Sequence, residues 1–326
     1  MVRFAVIGTN FVTDSFLEVG SKNKDFCLEA VYSRSMEKAK EYAAQHGAPK
    51  TFDSLEDVAN CSDIDAVYVA SPNAMHCKQS IQMMKAGKHV ICEKTIASNQ
   101  RELEEMIQVA KENQVVLMEA MRSVFDPGFA AIRENMHKVG TIRRTTFQYC
   151  QYSRRYDNYK NGIIENAFKP ELSNGAIMDI GVYCVHPMVV LFGLPETIQS
   201  SSIKLSNGAE ATGNILLKYK EMIGECVYSK VTNSKLPSQI QGEEGNMVIR
   251  EIPDTREITI YYNNGEVESI PIEKEENNMC YELAEFIRLV GESEVDHPYL
   301  ENSRMELKIM DEVRRQQEIV FPADKE

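Results

Sequence analysis

Hydrophobic and polar positions follow two textures along this chain. Up to residue 121, short apolar runs alternate with stretches whose apolar residues recur at helical spacing; beyond it, alternation with a period of two dominates. In the first stretch the pattern predicts strands at Arg3–Ile7, Leu28–Tyr32, Ala66–Ala70, His89–Cys92 and Val115–Met118. Helices are predicted to start at Thr13–Val19 and to cover Met36–His46, the stripe Ala74, Cys77, Ile81 and Met84, and Asn99–Asn113. Gly47 and Gly87 end two of them, as residues suited to a left-handed C-cap do. In the second stretch, strands are predicted at Ile142–Tyr152, Ile198–Leu205, Gly213–Tyr219, Ile223–Val231, Gln239–Ile249, Glu257–Tyr262 and Val267–Ile272, with a hairpin turn at Asn264-Gly265. Helices near Asn277–Val290 and Ser303–Gln317 are expected to cover the inner face of that sheet.

Strands separated by helices need crossover connections, and these are right-handed, so the first stretch predicts a parallel sheet with helices on both faces. The fold class is therefore α/β: a doubly wound parallel sheet over residues 1–121, and an α+β domain with a large, open, mainly antiparallel sheet over residues 122–326. A length of 326 residues agrees with two domains, being more than one hydrophobic core organises. Acidic residues outnumber Lys and Arg by 49 to 36, which repels phosphate backbones and anionic lipid, so neither nucleic acid nor membrane is an expected partner. No apolar run approaches the roughly 18 residues of a membrane span. The start reads as a strand rather than as a signal peptide, and the expected location is the cytoplasm. The eight cysteines are scattered singly, without a CxxC pair, which points to reduced thiols. His89 with Cys92, and His76 with Cys77, lack two further partners nearby in sequence, and no metal site is expected.

Doubly wound sheets bind ligands at the carboxyl ends of their strands. After the first strand stands Gly8-Thr9-Asn10-Phe11-Val12-Thr13, in which only the first glycine of a G-x-G-x-x-G pattern remains. Asn10 can still enter the left-handed region at modest cost, and the helix that follows offers N–H groups to a pyrophosphate. An ordinary strand-to-helix turn would look the same. After the second strand comes Ser33-Arg34-Ser35, with no carboxylate where an NAD-selective site carries one. A hydroxyl and a guanidinium suit a ribose 2′-phosphate, and Lys38 adds charge, so NADP(H) is expected in preference to NAD(H). The competing reading of Arg34 is a solvated surface residue.

Further segments carry a family resemblance. Ser71-Pro72-Asn73 is followed by His76, then by Gly87-Lys88-His89-Val90 and Glu93-Lys94; later comes Asp179-Ile180-Gly181-Val182-Tyr183, with His186 beyond it. Smaller echoes are Glu119-Ala120 with Arg122, and Gly242-Glu243-Glu244-Gly245. Together these resemble the glucose-fructose oxidoreductase, inositol dehydrogenase and rhizopine catabolism family, usually called Gfo/Idh/MocA. The D-x-G-x-Y segment looks like the variant found in glucose-fructose oxidoreductase and dimeric dihydrodiol dehydrogenase. The resemblance covers nearly the whole chain and implies an N-terminal Rossmann domain binding NAD(P). It also implies that Lys94 is the active-site lysine with Asp179 and Tyr183 as its partners, the three converging beside the nicotinamide. Gly8, Thr9, Asn10, Phe11, Val12, Ser33, Arg34, Lys38, Ser71, Pro72, Asn73, His76, Glu93, Lys94 and Arg122 would bind the cofactor. In such families the outer face of the second sheet pairs with another subunit, implying a homodimer or larger homo-oligomer.

The residues themselves agree. Asp179, Tyr183 and His186 fall at i, i+4 and i+7, one face of an α-helix, with Ile177, Ile180, Cys184, Met188 and Leu191 on the buried side. The expected chemistry is hydride transfer between nicotinamide and the carbonyl or hydroxyl carbon of a sugar, polyol or dihydrodiol, with Lys94 or Tyr183 moving the proton and His186 beside the substrate. Tyr152-Ser153-Arg154-Arg155-Tyr156, continuing to Phe168-Lys169-Pro170, mixes basic and aromatic side chains, and Arg155 and Phe168 are its candidate substrate contacts. A surface loop packed on a partner subunit accounts for it equally. A different function class is a non-catalytic regulator that senses NAD(P) or sugar on the same fold; the joint presence of Lys94, Asp179 and Tyr183 favours the enzyme. Two departures from the family pattern stand out: the missing glycines at Asn10 and Thr13, and Thr95 where the family has proline. A cis bond before a residue other than proline costs about 2.5–4 kcal/mol, so Lys94–Thr95 is expected to be trans, with some displacement of Lys94.

Overall fold

A computed structural model describes residues 1–325. Its contacts divide the chain into two units: Met1–Ala120 with Glu275–Arg304, and Met121–Lys274 with the residues from Met305 onward.

The first unit is wound around six strands. In chain order they and their helices are β1 (Val2–Ile7), α1 (Phe11–Lys22), β2 (Phe26–Tyr32), α2 (Met36–His46), β3 (Lys50–Phe52), α3 (Leu55–Asn60), β4 (Ala66–Val69), α4 (His76–Lys85), β5 (His89–Glu93), α5 (Gln100–Glu112) and β6 (Leu117–Ala120). The sheet order is β3-β2-β1-β4-β5-β6, every pair parallel. The order reverses between β1 and β4, which opens a ligand crevice at their carboxyl ends. Side-chain caps start α1, α2, α3 and α5: Asn10, Ser35, Ser54 and Asn99 each accept an N–H from the first turn they precede. Strand β3 and helix α3 lie outside the sequence expectation, being three and six residues long, too short to show a period. The core centres on an aromatic stack in which Phe16 lies flat on Tyr68, centroids 3.8 Å apart, and Phe4 lies on Phe26 at 4.8 Å. Gly20 makes room for it, since a Cβ there would meet the Phe26 ring at 2.7 Å.

The second unit begins with α6 (Arg122–Phe125) and α7 (Pro127–Asn135), followed by strand β7 (Ile142–Cys150) and helix α8 (Arg154–Lys160). A π-helical turn, Ile177–Gly181, leads into α9 (Val182–Phe192). Seven strands follow: β8 (Thr197–Lys204), β9 (Glu210–Lys218), β10 (Ile223–Ser229), β11 (Ser238–Gly242), β12 (Gly245–Arg250), β13 (Glu257–Tyr262) and β14 (Val267–Ile270). The eight-stranded sheet runs β14-β13-β12-β11-β7-β10-β9-β8, antiparallel throughout except that β10 pairs with β7 in parallel. One face is apolar: Phe147, Ile215, Leu217, Cys226, Tyr228, Ile240, Met247, Ile258 and Ile260 are all buried, in one core cluster with residues of α9.

Three expectations need correction here. Gln239–Ile249 is two strands with a hairpin between Gly242 and Gly245, and the register shows why: Ile240 faces the core from an even position, Met247 and Ile249 from odd ones. Gly242 is needed because a Cβ there would meet the Val139 carbonyl oxygen at 2.1 Å. Helix α10 (Met279–Glu292), expected on the inner face of the antiparallel sheet, belongs to the first unit, where Phe286 packs on Phe4 with centroids 5.9 Å apart and Asn277 donates to the Ser15 carbonyl. The division between units then falls inside α11 (Pro298–Gln316). Finally, α9 lacks the polar face that an i, i+4, i+7 reading gave it: Val182 to Val189 are all buried, and the π turn breaks the helical spacing before it starts.

Candidate active site

In the first unit the site is built at the crevice end of the sheet. Gly8 closes β1 with φ +117°, and a Cβ there would meet the Ala70 carbonyl oxygen at 2.5 Å, so the chain can pass the end of β4 only as glycine. Asn10 is extended, at φ −124° and ψ 173°, and does not use the left-handed region open to it. It is the N-cap of α1: its side-chain oxygen accepts from the N–H groups of Val12 and Thr13 at 2.9 and 3.3 Å, and its amide donates to Ala70 at 2.9 Å. The missing glycine is thus replaced by a residue that ties α1 to β4. Thr9 is half-buried and Phe11 exposed at the same turn. Beyond β2, Ser33 is half-buried, while Arg34 and Lys38 are exposed and Ser35 caps α2.

Past β4, Ser71 donates to Gln79 at 2.6 Å, and Pro72 and Asn73 start a 3-10 turn into α4. His76 is buried, with Nε2 2.8 Å from the Ser71 carbonyl and Nδ1 2.9 Å from the Thr95 carbonyl. Burial pulls its pKa below the ordinary histidine value against the pull of those carbonyls, and the Lys94 charge lowers it further. His76 therefore pins the strand ends of β4 and β5 together. Glu93 is buried and accepts from the Tyr68 hydroxyl at 2.5 Å, which joins the aromatic core to the site.

Lys94 is half-buried, and its bond to Thr95 is cis, against the trans expectation. Its surroundings define the segment on both sides. Thr95 is fully buried with its carbonyl on His76, and the next N–H, of Ile96, donates to Glu119 at 3.0 Å. Glu119 is in turn bonded by the Ser303 hydroxyl at 2.6 Å.

In the second unit, Asp179 sits on the π turn and Tyr183 on the first turn of α9. Asp179 keeps 29% of its side chain exposed, and its Oδ2 is ion-paired with Lys230. Tyr183 is buried, edge-on to Tyr149 at 5.7 Å, with the Arg122 guanidinium 5.9 Å from its ring centroid. His186 is buried and paired through Nδ1 with Glu306 at 2.5 Å. Phe168 is fully buried, under Tyr156 and Tyr159 at 6.0 and 5.8 Å. Arg155, on α8, pairs with Glu165 at 3.4 Å. The basic and aromatic stretch is thus largely satisfied within itself, Lys160 donating to Tyr152 at 2.6 Å and lying over the rings of Tyr152 and Tyr156.

The π turn is held from behind by groups the sequence reading did not single out. Gly181 and Gly213 leave the space that the Tyr228 side chain fills: a Cβ at Gly181 would meet its ring at 3.0 Å, and one at Gly213 its hydroxyl at 2.5 Å. That hydroxyl donates to Glu210 Oε1 at 2.8 Å, while Glu210 Oε2 accepts the Ile177 N–H at 2.7 Å. The glycine of the D-x-G-x-Y segment is therefore a packing requirement. Lys230 was also missed, although a signal exists: it shares the parity of the inward-facing Cys226 and Tyr228.

The chain thus combines a doubly wound unit with a crevice at its switch point, of the dinucleotide-binding class, and an antiparallel-sheet unit that carries Asp179 and Tyr183. Residues 2–121 match the oxidoreductase family with an NAD-binding Rossmann fold, and residues 132–248 match the GFO/IDH/MocA C-terminal domain. The chain is 48% identical, over 99% of both chains, to scyllo-inositol 2-dehydrogenase (NADP(+)) IolU of Bacillus subtilis. It is 42% identical, again over 99% of both, to the uncharacterized oxidoreductase YgjR of Escherichia coli. Its fold is that of KijD10, a 3-ketoreductase from Actinomadura kijaniata solved with NADP and TDP-benzene, with a TM-score of 0.86 at 18% identity over 98% and 99% of the two chains. The chain belongs to the Gfo/Idh/MocA family of oxidoreductases.

Among the described residues no helix is long and apolar enough to cross a membrane. All eight cysteines are free thiols.

Proposed function

We propose that this protein is an NADP(H)-dependent dehydrogenase of a cyclic polyol, with scyllo-inositol the first candidate substrate. The observation that carries this reading is the 48% identity to an NADP-dependent inositol dehydrogenase over 99% of both chains. The donor set of the first unit fits the cofactor: α1 points its first turn at the crevice, and Ser33, Arg34 and Lys38 follow β2 with a hydroxyl and two cations for a 2′-phosphate. Held there, NADP(H) would supply hydride-transfer chemistry at the carbinol carbon.

The protein's own part is the proton. The substrate hydroxyl gives its proton to Tyr183 or Lys94, Asp179 orients that hydroxyl or the lysine, and the Arg122 guanidinium lies beside the Tyr183 ring. His186, locked by Glu306, braces the helix that carries Tyr183. The outer face of the eight-stranded sheet, where Leu216, Ile223, Tyr261 and Val267 are exposed, is the surface we assign to a second copy of the chain. Light scattering then finds a homodimer or larger assembly.

The test is NADPH absorbance with scyllo-inositol, other inositols, aldoses and dihydrodiols in one direction, and the matching ketones in the other. Turnover of an inositol supports the reading. Tight NADP(H) binding with no turnover of any of these compounds overturns it in favour of a sensor.

A further inference from the structure

Lys230 is an unusual residue for its place. It follows strand β10, facing inward, and is 1% exposed. Its backbone is pinned on both sides, the N–H donating to the Ala211 carbonyl at 2.9 Å and the carbonyl accepting the Ser153 N–H at 2.8 Å. The ammonium is equally committed: it pairs with Asp179 Oδ2, donates to the Ala167 carbonyl at 3.2 Å, and lies 5.0 Å from the centroid of the fully buried Phe168 ring. A carboxylate, a carbonyl and an aromatic face are thus among the groups that compensate the buried charge.

Burying an ammonium costs several kcal/mol, and a buried ion pair is weak evidence for stability, so a second account of Lys230 is needed. The exposure of the two partners supplies it. Asp179 presents 29% of its side chain to solvent while Lys230 presents 2%, so the cation cannot meet a substrate and acts only through the carboxylate. Lys94, the cation that the family resemblance pairs with Asp179, is a different residue in the other unit.

We propose that Lys230 is a positioning residue of the reaction: its buried ammonium is the counter-ion that keeps Asp179 ionised and fixes that carboxylate to the Ala167–Phe168 segment. The proposal rests on the reading of Asp179 as a reacting group. It assigns Asp179 a permanent negative charge in the resting protein, which makes it an acceptor for a substrate hydroxyl and not a proton donor.

Two measurements test this, one independent of substrate. The carboxyl carbon resonance of Asp179, in protein labelled with carbon-13 at aspartate and assigned by its loss in Asp179→Asn, is followed against pH. The expected midpoint lies below the ordinary aspartate value of about 3.9 and rises by about one pH unit or more in Lys230→Met, with Lys230→Arg restoring it. In turnover, Lys230→Met is expected to lower kcat for scyllo-inositol about tenfold, to shift the acid limb of the pH–rate profile upward, and to leave NADPH binding unchanged. The double variant Lys230→Met/Asp179→Asn should be no slower than Asp179→Asn alone. An unshifted Asp179 midpoint in Lys230→Met, or losses that multiply in the double variant, overturns the proposal. So does an Asp179 midpoint at or above about 3.9 in the unmodified protein, which needs no variant to fold. Absence of turnover with every polyol sinks the proposed substrate, while the resonance still decides the role of Lys230.

Discussion

The Tyr228 hydroxyl donates to Glu210 at 2.8 Å, and the other oxygen of that carboxylate caps the Ile177 N–H at the head of the π turn that carries Asp179. Burial pushes the Glu210 pKa up to about 7 from an ordinary value near 4.5. A carboxyl with a raised folded-state pKa binds more protons folded than unfolded, so its contribution is fully present below about pH 4.5 and is lost as pH rises through about 7. Glu210→Gln removes this dependence while keeping an acceptor for Ile177. Relative to the wild type, the variant is expected to gain roughly 2.5 kcal/mol of stability between pH 5 and pH 8. Urea denaturation at the two pH values measures it; a constant difference between the two proteins would show that Glu210 does not titrate there.

Gly8 is the one glycine of the phosphate-loop pattern that remains, and its backbone explains why. With φ at +117° and only 2.5 Å between an alanine Cβ and the Ala70 oxygen, Gly8→Ala must shift either β1 or β4. Backbone strain of this kind costs about 1–3 kcal/mol. The expected result is a lower melting temperature together with weaker NADPH binding, read by quenching or enhancement of nucleotide fluorescence. Unchanged nucleotide binding in a destabilised variant would confine Gly8 to packing.

What the sequence disclosed and what it withheld divide along physical lines. Strands β1, β2 and β4 were legible because each is a short apolar run followed closely by Gly or Ser, and α2 was read to the residue because Ser35 and Gly47 cap it. Strand β3 was hidden because three half-buried residues at a sheet edge carry no period. Asp179 and Tyr183 were found through a motif, but Glu210, Tyr228 and Lys230 come from strands that only the folded sheet brings behind the π turn. The π turn itself was invisible because its residues are as apolar as an α-helix would require. The cis bond at Lys94–Thr95 was missed for a related reason: the partners that hold the segment, His76 and Glu119, lie 19 residues before Thr95 and 23 after Ile96.

Cofactor choice should lie in the residues after β2. Arg34→Ala is expected to lower NADP(H) affinity roughly 10–100-fold with little change for NAD(H), the size of one charge-assisted contact of about 1.5–3 kcal/mol to a 2′-phosphate. Adding Ser33→Asp should carry the preference over to NAD(H), by repelling the phosphate and accepting from the ribose hydroxyl. The ratio of kcat/KM for the two cofactors is the measurement. An unaltered ratio in Arg34→Ala would return Arg34 to an ordinary exposed arginine, with selectivity set elsewhere.

The proton-handling assignment separates cleanly from binding. Tyr183→Phe keeps the ring that packs edge-on against Tyr149 and beside Arg122, so it should fold as the wild type does while losing only the hydroxyl. Lys94→Ala removes a half-buried cation whose charge also depresses the His76 pKa. General acid–base catalysis supplies about 10²–10⁴ in rate, so each variant should lose more than tenfold in turnover, with NADP(H) affinity largely kept. Their pH profiles then tell the two roles apart. The variant that lacks the proton-transferring group loses the limb belonging to that group, whereas the variant that lacks its electrostatic partner keeps the limb and displaces it. Near-normal turnover in both would remove Lys94 and Tyr183 from the chemistry and leave the reaction to be assigned afresh around Asp179.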